Sequence, residues 1–163
     1  MIRAATADDL PAITELYAHY VENTTATWAL ETPDLAAWQE KFSTLAEDGL
    51  PFLVVVDDET LQGFAYLADF RGRGGWRRTV EDTVYLREDA TGRGYGTRLL
   101  GALLDAADPE RVRVVVAMIS AERAGSITLH RKLGFVETGR LPGVSEKSGQ
   151  VLDCVVMQRP LIL

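Results

Sequence analysis

Apolar residues fall along this chain in two rhythms. Leu10, Ile13, Leu16, Tyr17, Tyr20 and Val21 recur at helical spacing, behind Thr6 and with Asp8 and Asp9 placed for the positive end of a helix. A second helix is expected from near Pro33, with Leu35, Trp38, Phe42 and Leu45 inward and a stop at Gly49. "MIRAAT" reads as a short first strand. "PFLVVVDDETLQGFAYLADF" reads as two strands around a DDET turn, and "TVEDTVYL" as another. After Pro109, "RVRVVVAMI" is continuous and β-branched, as expected of a strand buried on both faces. "FVETGRL" and "VLDCVVMQRPL" close the series. Helices are expected from Thr97 to about Ala107, and from Gly125 to Leu133 with a stop at Gly134. The order is β-α-α-β-β-β-α-β-α-β-β, a mixed α/β single domain over residues 1–163, with no internal repeat or linker.

Composition narrows the function. The 163 residues are 47% hydrophobic and 25% charged, ordinary for a globular domain. A net charge of −7 argues against general nucleic-acid binding and gives no attraction to anionic membranes. The lone cysteine, Cys154, leaves no internal disulfide, which fits a reducing compartment. "MIRAATADDLP" lacks the apolar run of a signal peptide, and no segment is long enough to span a bilayer. The expectation is a cytoplasmic protein with no nucleic-acid or membrane partner.

The candidate chemistry begins at "REDATGRGYGTRLL". Gly92, Gly94 and Gly96 stand between a strand and an apolar helix, where each glycine loses much backbone entropy on folding. A strand, a glycine-rich turn and a helix N-terminus together make an anion site, and Arg87, Arg93 and Arg98 concentrate positive charge there. The spacing fits neither G-x-x-x-x-G-K-[ST] nor a G-x-G-x-x-G after the first strand. From the loop alone, a purely structural turn stays open.

A second stretch, "AGSITLHRKLGFVETGRL", lies downstream of the buried strand. Thr91-Gly92-Arg93-Gly94-Tyr95-Gly96, followed by His130-Arg131-Lys132-Leu133-Gly134-Phe135, resembles the paired signature of the Gcn5-related N-acetyltransferase (GNAT) family. "RGRGGWRRTVEDTVYL", "SITLHRKLGF" and "KSGQVLDCVVMQR" resemble its phosphinothricin acetyltransferase branch, which also acetylates methionine sulfoximine and sulfone. The resemblance implies an α/β acyltransferase fold, with a mixed central sheet of about seven strands and about four helices. It also implies acetyl-CoA as co-substrate, no metal, a small-molecule amine acceptor, and a homodimer.

The resemblance further implies roles for particular residues. Arg93, Gly94, Tyr95, Gly96 and Thr97 cradle the pyrophosphate through their backbone, and Ser126 also touches the cofactor. Val84, Tyr85 and Leu86 pair with the pantetheine and offer a backbone N–H to the thioester oxygen. Glu81 is the general base, a task that needs a carboxyl raised by burial or a water relay. A glutamate on an alternating strand also reads as part of a solvated face. Asp82 points the other way and is the poorer candidate. His130 is the general acid, since an imidazole of ordinary pKa near 6.5 gives and recovers a proton near neutrality. A lone helical histidine also reads as a packed residue, and His19 is read as ordinary.

Arg71, Arg73 and Thr83 match positions that grip acidic groups of an amino-acid substrate, and a guanidinium fork suits a carboxylate or phosphinate. Trp28 and Trp76 stand where pocket walls do, with a core role equally open. The chain departs from the pattern at Thr91, which weakens a side-chain contact to the cofactor or passes it to a neighbouring arginine, and at Arg123, Glu146 and Val151, which puts the acceptor in question. Cys154 reads as a small packing residue. The function implied is transfer of acetyl from acetyl-CoA to the amino group of a phosphinothricin- or methionine-sulfoximine-type analogue, by direct attack. A GNAT enzyme for a polyamine, an aminoglycoside or a protein amine is the first alternative. A non-catalytic acyl-CoA sensor is the second.

Overall fold

The computed structural model describes residues 1–161. Seven strands form one sheet: β1 (Ile2–Ala4), β2 (Phe52–Asp57), β3 (Thr60–Asp69), β4 (Thr79–Leu86), β5 (Val114–Ser120), β6 (Val136–Lys147) and β7 (Gln150–Pro160). Their order across the sheet is β1-β2-β3-β4-β5-β7-β6, and every pairing is antiparallel except β4 with β5. Four helices complete the fold: α1 (Leu10–Asn23), α2 (Leu35–Glu47), α3 (Tyr95–Ala106) and α4 (Ala124–Lys132). The element order and the mixed sheet match the pattern expected from the sequence.

Local chemistry explains most boundaries. Residues 7–9 form a 3₁₀ turn before α1. Thr6 and Asp9 cap it reciprocally, and Arg3 meets the Asp9 carboxylate at 2.7 Å. Asp34 caps α2 by accepting from the Ala37 N–H at 2.8 Å, a contact worth ~1 kcal/mol. The DDET hairpin turns through Asp58 and Glu59, both at positive φ, and the last hairpin through Ser148 and Gly149 in the same way.

Helices α1 and α2 cover one face of the sheet. There Trp38 packs on Phe64 (centroids 5.4 Å apart), and Phe52 packs on Tyr66 (5.3 Å). Helices α3 and α4 cover the opposite face, where α3 buries Leu99, Leu100, Leu103 and Leu104. Burying each leucine stabilises the fold by roughly 1.5–3 kcal/mol.

Strand β5 starts at Val114 rather than Arg111, and two further boundaries differ from expectation for clear local reasons. Helix α3 starts at Tyr95 rather than Thr97, because Gly94 adopts φ +79° and turns the chain directly into the helix. Strand β6 runs past Leu141 to Lys147 in spite of Pro142 and Gly143. As an edge strand it tolerates a missing N–H, and its register to β7 shifts between Leu141 and Ser145. The Gly143 N–H in that interval donates to Asp153 Oδ1 at 2.8 Å.

Candidate active site

The sheet comes apart at Glu81. Strand β4 pairs with β5 only from Thr79 to Glu81, whereas its ladder to β3 continues to Leu86. Backbone groups of residues 82–86 that face β5 therefore have no strand partner. A cavity of about 1030 Å³ occupies the gap, at the upper end of the usual size for small-molecule sites.

Strand alternation divides the β4 side chains between the two faces. Glu81, Thr83 and Tyr85 lie toward α1 and α2, as the Tyr85 ring shows by packing on Tyr17 (5.2 Å) and Tyr20 (4.9 Å). Asp82, Val84 and Leu86 lie toward α3 and α4. The Tyr20 hydroxyl donates to the Leu86 carbonyl at 2.5 Å and ties α1 to the end of β4.

The α3 N-terminus stands at one end of the cavity. No side chain caps it, and its first i→i−4 bond runs from the Arg98 N–H to the Gly94 carbonyl at 3.2 Å. The N–H groups of Tyr95, Gly96 and Thr97 thus have no acceptor inside the helix. A Cβ on Gly94 would meet no atom within 4 Å, so the space in front of that backbone is open. Gly96 serves a different purpose: a Cβ there would stand 3.2 Å from Leu129 Cδ2 and 3.4 Å from Leu86 Cδ1. One glycine sets the turn and the other lets α3 approach α4 and β4.

Burial pushes the Glu81 carboxyl above the usual carboxylate range; the neighbouring Asp82 charge adds to this and Lys41 opposes it. That is the direction a carboxylate base requires. His130, 4% exposed, has both ring nitrogens engaged. Nε2 lies 2.7 Å from Asp82 Oδ2, and Nδ1 lies 2.7 Å from the Ser126 carbonyl. Burial pulls its proton affinity down, but the Asp82 hydrogen bond and charge and the Ser126 carbonyl outweigh this and raise it above that of an ordinary imidazole. Phe135 packs edge-on against the ring at 5.0 Å. For His130 to donate to a departing sulfur, one of these two short bonds has to be given up.

The structure brings most of the expected residues to this one cavity. Glu81, Thr83, Val84, Tyr85 and Leu86 line it from β4, Gly94, Gly96 and Thr97 from the start of α3, and Ser126 and His130 from α4. Trp28, Thr91 and Arg123 line it too. Arg71 and Arg73 are not brought to it, and Arg93 and Tyr95 turn their side chains away from it while the Tyr95 N–H stays in the first turn of α3. Arg71 and Arg73 stand on an exposed loop, with Arg71 over the Trp76 ring at 5.7 Å. Tyr95 turns its hydroxyl to Asp57 Oδ2, and Arg93 packs over the Tyr95 ring at 5.1 Å, reaching Asp57 at 3.5 Å. Trp76 is exposed and packs on Phe70, while Glu146 and Val151 pair on the outer hairpin. His19 meets Glu88 at 3.2 Å, and Cys154 is buried as a packing residue.

Two functional features escaped sequence reasoning. Strand alternation places Asp82 on the other face but does not reveal its partner there, His130. The signal was its position in Val80-x-Asp82-x-Val84, where a carboxylate among inward valines demands a counter-group. The second is a bridge across the cavity wall: Glu122 accepts from Ser120 Oγ and from Thr25 Oγ1, each at 2.6 Å, and joins the loop after α1 to the end of β5. Contacts that join residues 97 positions apart leave no local pattern.

The Acetyltransferase (GNAT) domain family model matches residues 1–136. This chain belongs to the GNAT family of acetyltransferases. It is 46% identical over 160 residues to the L-methionine sulfoximine/L-methionine sulfone acetyltransferase of Pseudomonas aeruginosa, covering 96% of this chain and 92% of that one. It is 40% identical over 163 residues to an L-amino acid N-acyltransferase of Escherichia coli, covering 98% and 93%. The crystal structure of a GNAT superfamily phosphinothricin acetyltransferase from Sinorhizobium meliloti, in complex with acetyl-CoA, superposes with a TM-score of 0.94 at 38% identity, over 98% of this chain and 87% of that one. Among the described residues of this GNAT chain, no group of three His, Cys, Asp or Glu side chains is placed to hold a metal, and no helix is long and apolar enough to cross a membrane.

Proposed function

We propose that this protein is an acetyl-CoA-dependent N-acetyltransferase acting on the α-amino group of a small amino-acid analogue, of the methionine sulfoximine/sulfone or phosphinothricin kind. The observation that carries the reading is the parted sheet: one cavity joins an uncapped helix N-terminus, a free strand edge, a raised carboxyl and a buried histidine. These residues fit acetyl-CoA. The α3 N–H groups and the open approach at Gly94 suit a pyrophosphate, with Ser126 beside it. The edge of Val84–Leu86 that faces the gap, left without a strand partner, suits the amides of a pantetheine arm. When bound, acetyl-CoA supplies an activated acyl carbon and a thiolate leaving group.

Within that frame the chain's own groups divide the work. Glu81 takes a proton from the incoming ammonium, so that the amine nitrogen is free to bond the acyl carbon as the carbon–sulfur bond breaks. A β4 backbone N–H facing the gap holds the carbonyl oxygen while it carries negative charge, worth a few kcal/mol when well aimed. His130 supplies positive charge on the α4 side, and the proton that the sulfur takes up.

Thr83 lies beside Glu81 in the cavity and is a proposed acceptor contact. Arg71 and Arg73 remain proposed partners for the acceptor's acidic group. Because they stand outside this chain's cavity, they need a loop movement or a second copy to reach it. The reading includes a single domain, a cytoplasmic location and a homodimer, with no nucleic-acid or membrane partner. Support for the homodimer comes from edge strand β6 and its neighbour, which expose Val136, Leu141, Val144 and Val151. Mass spectrometry of L-methionine sulfoximine incubated with acetyl-CoA and the protein tests the reaction. Acetyl on the α-amino nitrogen is expected, and an unmodified acceptor after prolonged incubation would contradict it.

A further inference from the structure

Asp82 is 8% exposed on a strand whose adjacent inward residue, Val80, is fully buried. Its Oδ2 meets His130 Nε2 at 2.7 Å, and its Oδ1 is buried with no hydrogen-bond partner. A carboxylate so placed is costly unless a cation touches it. Among the described residues, the only salt bridge to Asp82 comes from His130. The other ring nitrogen faces a second acceptor, the Ser126 carbonyl, which has no proton to give. Two acceptors at 2.7 Å on opposite sides of one imidazole are both satisfied only when two protons lie on or beside the ring.

We propose that Asp82 is a positioning residue, which fixes the His130 ring against α4 and keeps its second ring proton in place through neutral pH. Asp82 belongs to the cavity wall, but its side chain is only 2% exposed, with Oδ1 buried and Oδ2 held on His130 Nε2. It acts through His130. A His130 ring that returns to this position without its Nε2 proton turns a lone pair on a carboxylate at hydrogen-bond distance, a repulsive arrangement that favours reprotonation before the next turnover. Asp82 therefore governs how alkaline the solution must become before the histidine stops being an acid.

The other groups bearing on this pair are few. Glu81 is next on β4 but on the opposite face. Lys41 acts on Glu81 from α2, and Cys154 on β7 is a buried thiol near Glu81. Phe135 covers the ring with an apolar edge, and Ser126 contributes a carbonyl rather than a charge. The kinetic part of this inference rests on the acetyltransferase reading above; the protonation part does not.

The test uses nuclear magnetic resonance of ¹⁵N-histidine in the full chain, which holds two histidines, assigned with His19→Gln. In the wild type at pH 7.5, both His130 nitrogens are expected to be protonated or to share a proton with Asp82. In Asp82→Asn the midpoint of His130 titration is expected to fall by about one pH unit or more, a tenfold change in proton affinity. The alkaline limb of kcat should fall with it, while the KM for acetyl-CoA stays within about twofold. Asp82→Glu should recover part of both, a rescue that mere cavity filling would not give. A wild-type His130 with one nitrogen plainly free of protons at pH 7.5 would overturn the inference, even if neither variant folds. So would an unchanged alkaline limb in folded Asp82→Asn. If the wild type releases no thiol from acetyl-CoA, the enzyme reading fails, and the titration alone still decides the pair.

Discussion

Glu81 and His130 reach the same cavity from opposite faces of the sheet. They do so because β4 and β5 separate immediately after Glu81, so a molecule threaded through the gap has the carboxyl on its α1–α2 side and the imidazole on its α4 side. An acceptor amine and a departing sulfur can thus be served by two groups that never contact each other.

The Glu81 carboxyl predicts a trade between activity and stability. Its affinity for protons is raised in the folded state, so its favourable contribution is complete below the unfolded carboxyl pKa and lost as pH rises through the higher folded value. Glu81→Gln should therefore lower kcat by roughly 10²- to 10⁴-fold. Its melting temperature at pH 8 should equal or exceed that of the wild type. The activity loss should shrink toward pH 10, where more acceptor amine is already neutral. Rate profiles from pH 6 to 10, together with calorimetric melting, check both halves.

His130 carries the opposite chemistry. Its folded proton affinity is raised as well, so the stability it lends is fully present below pH ~6.5 and lost as pH rises through the higher folded value. The stability lost in His130→Phe should accordingly be greater at pH 6 than at pH 9, in chemical denaturation at the two pH values. Turnover should fall, and high pH should not restore it, because the missing group is an acid.

The two glycines of the α3 turn should respond differently to substitution. Gly94→Ala places a side chain at φ +79°, which costs roughly 1–2 kcal/mol, but meets no neighbour. The protein should fold and bind acetyl-CoA much more weakly, as titration calorimetry would show. Gly96→Val drives its side chain into Leu129 and Leu86, and overpacking of this kind costs about 1–3 kcal/mol. Its first symptom should be a lower melting temperature.

Arg73 is a proposed acceptor contact that needs a loop movement or a second copy to reach the cavity. Arg73→Ala should raise the KM of an anionic amino-acid acceptor about tenfold or more, from loss of a charged hydrogen bond worth about 1.5–3 kcal/mol. Affinity for acetyl-CoA should not change. An unaltered KM for every amino-acid acceptor would remove Arg73 from the site.

Much of the fold was legible because its signals are local. The heptad-like faces of α1 and α2, the β-branched run of β5 and the glycine turn before α3 each follow from neighbours in sequence. The length of β6 was not legible, since Pro142 and Gly143 read as breakers until the strand is known to lie at an edge. Glu81, His130 and the α3 turn were found by motif, and the cavity unites them. The Asp82–His130 pair joins residues 48 positions apart by bringing β4 under α4, and no periodicity encodes that distance. The arginines of the exposed loop show the converse: a residue type suited to a carboxylate does not bring itself to the cavity.

Thiol release from acetyl-CoA tests the central claim most directly. The wild-type protein would be offered methionine sulfoximine, methionine sulfone, phosphinothricin, spermidine, an aminoglycoside and a lysine-containing peptide, and kcat/KM compared across the set. The account predicts turnover with the amino-acid analogues at well over tenfold higher kcat/KM than with any of the other three. Preference for spermidine, the aminoglycoside or the peptide would contradict the proposed acceptor class, and tight acetyl-CoA binding with no thiol release for any acceptor would contradict the enzyme.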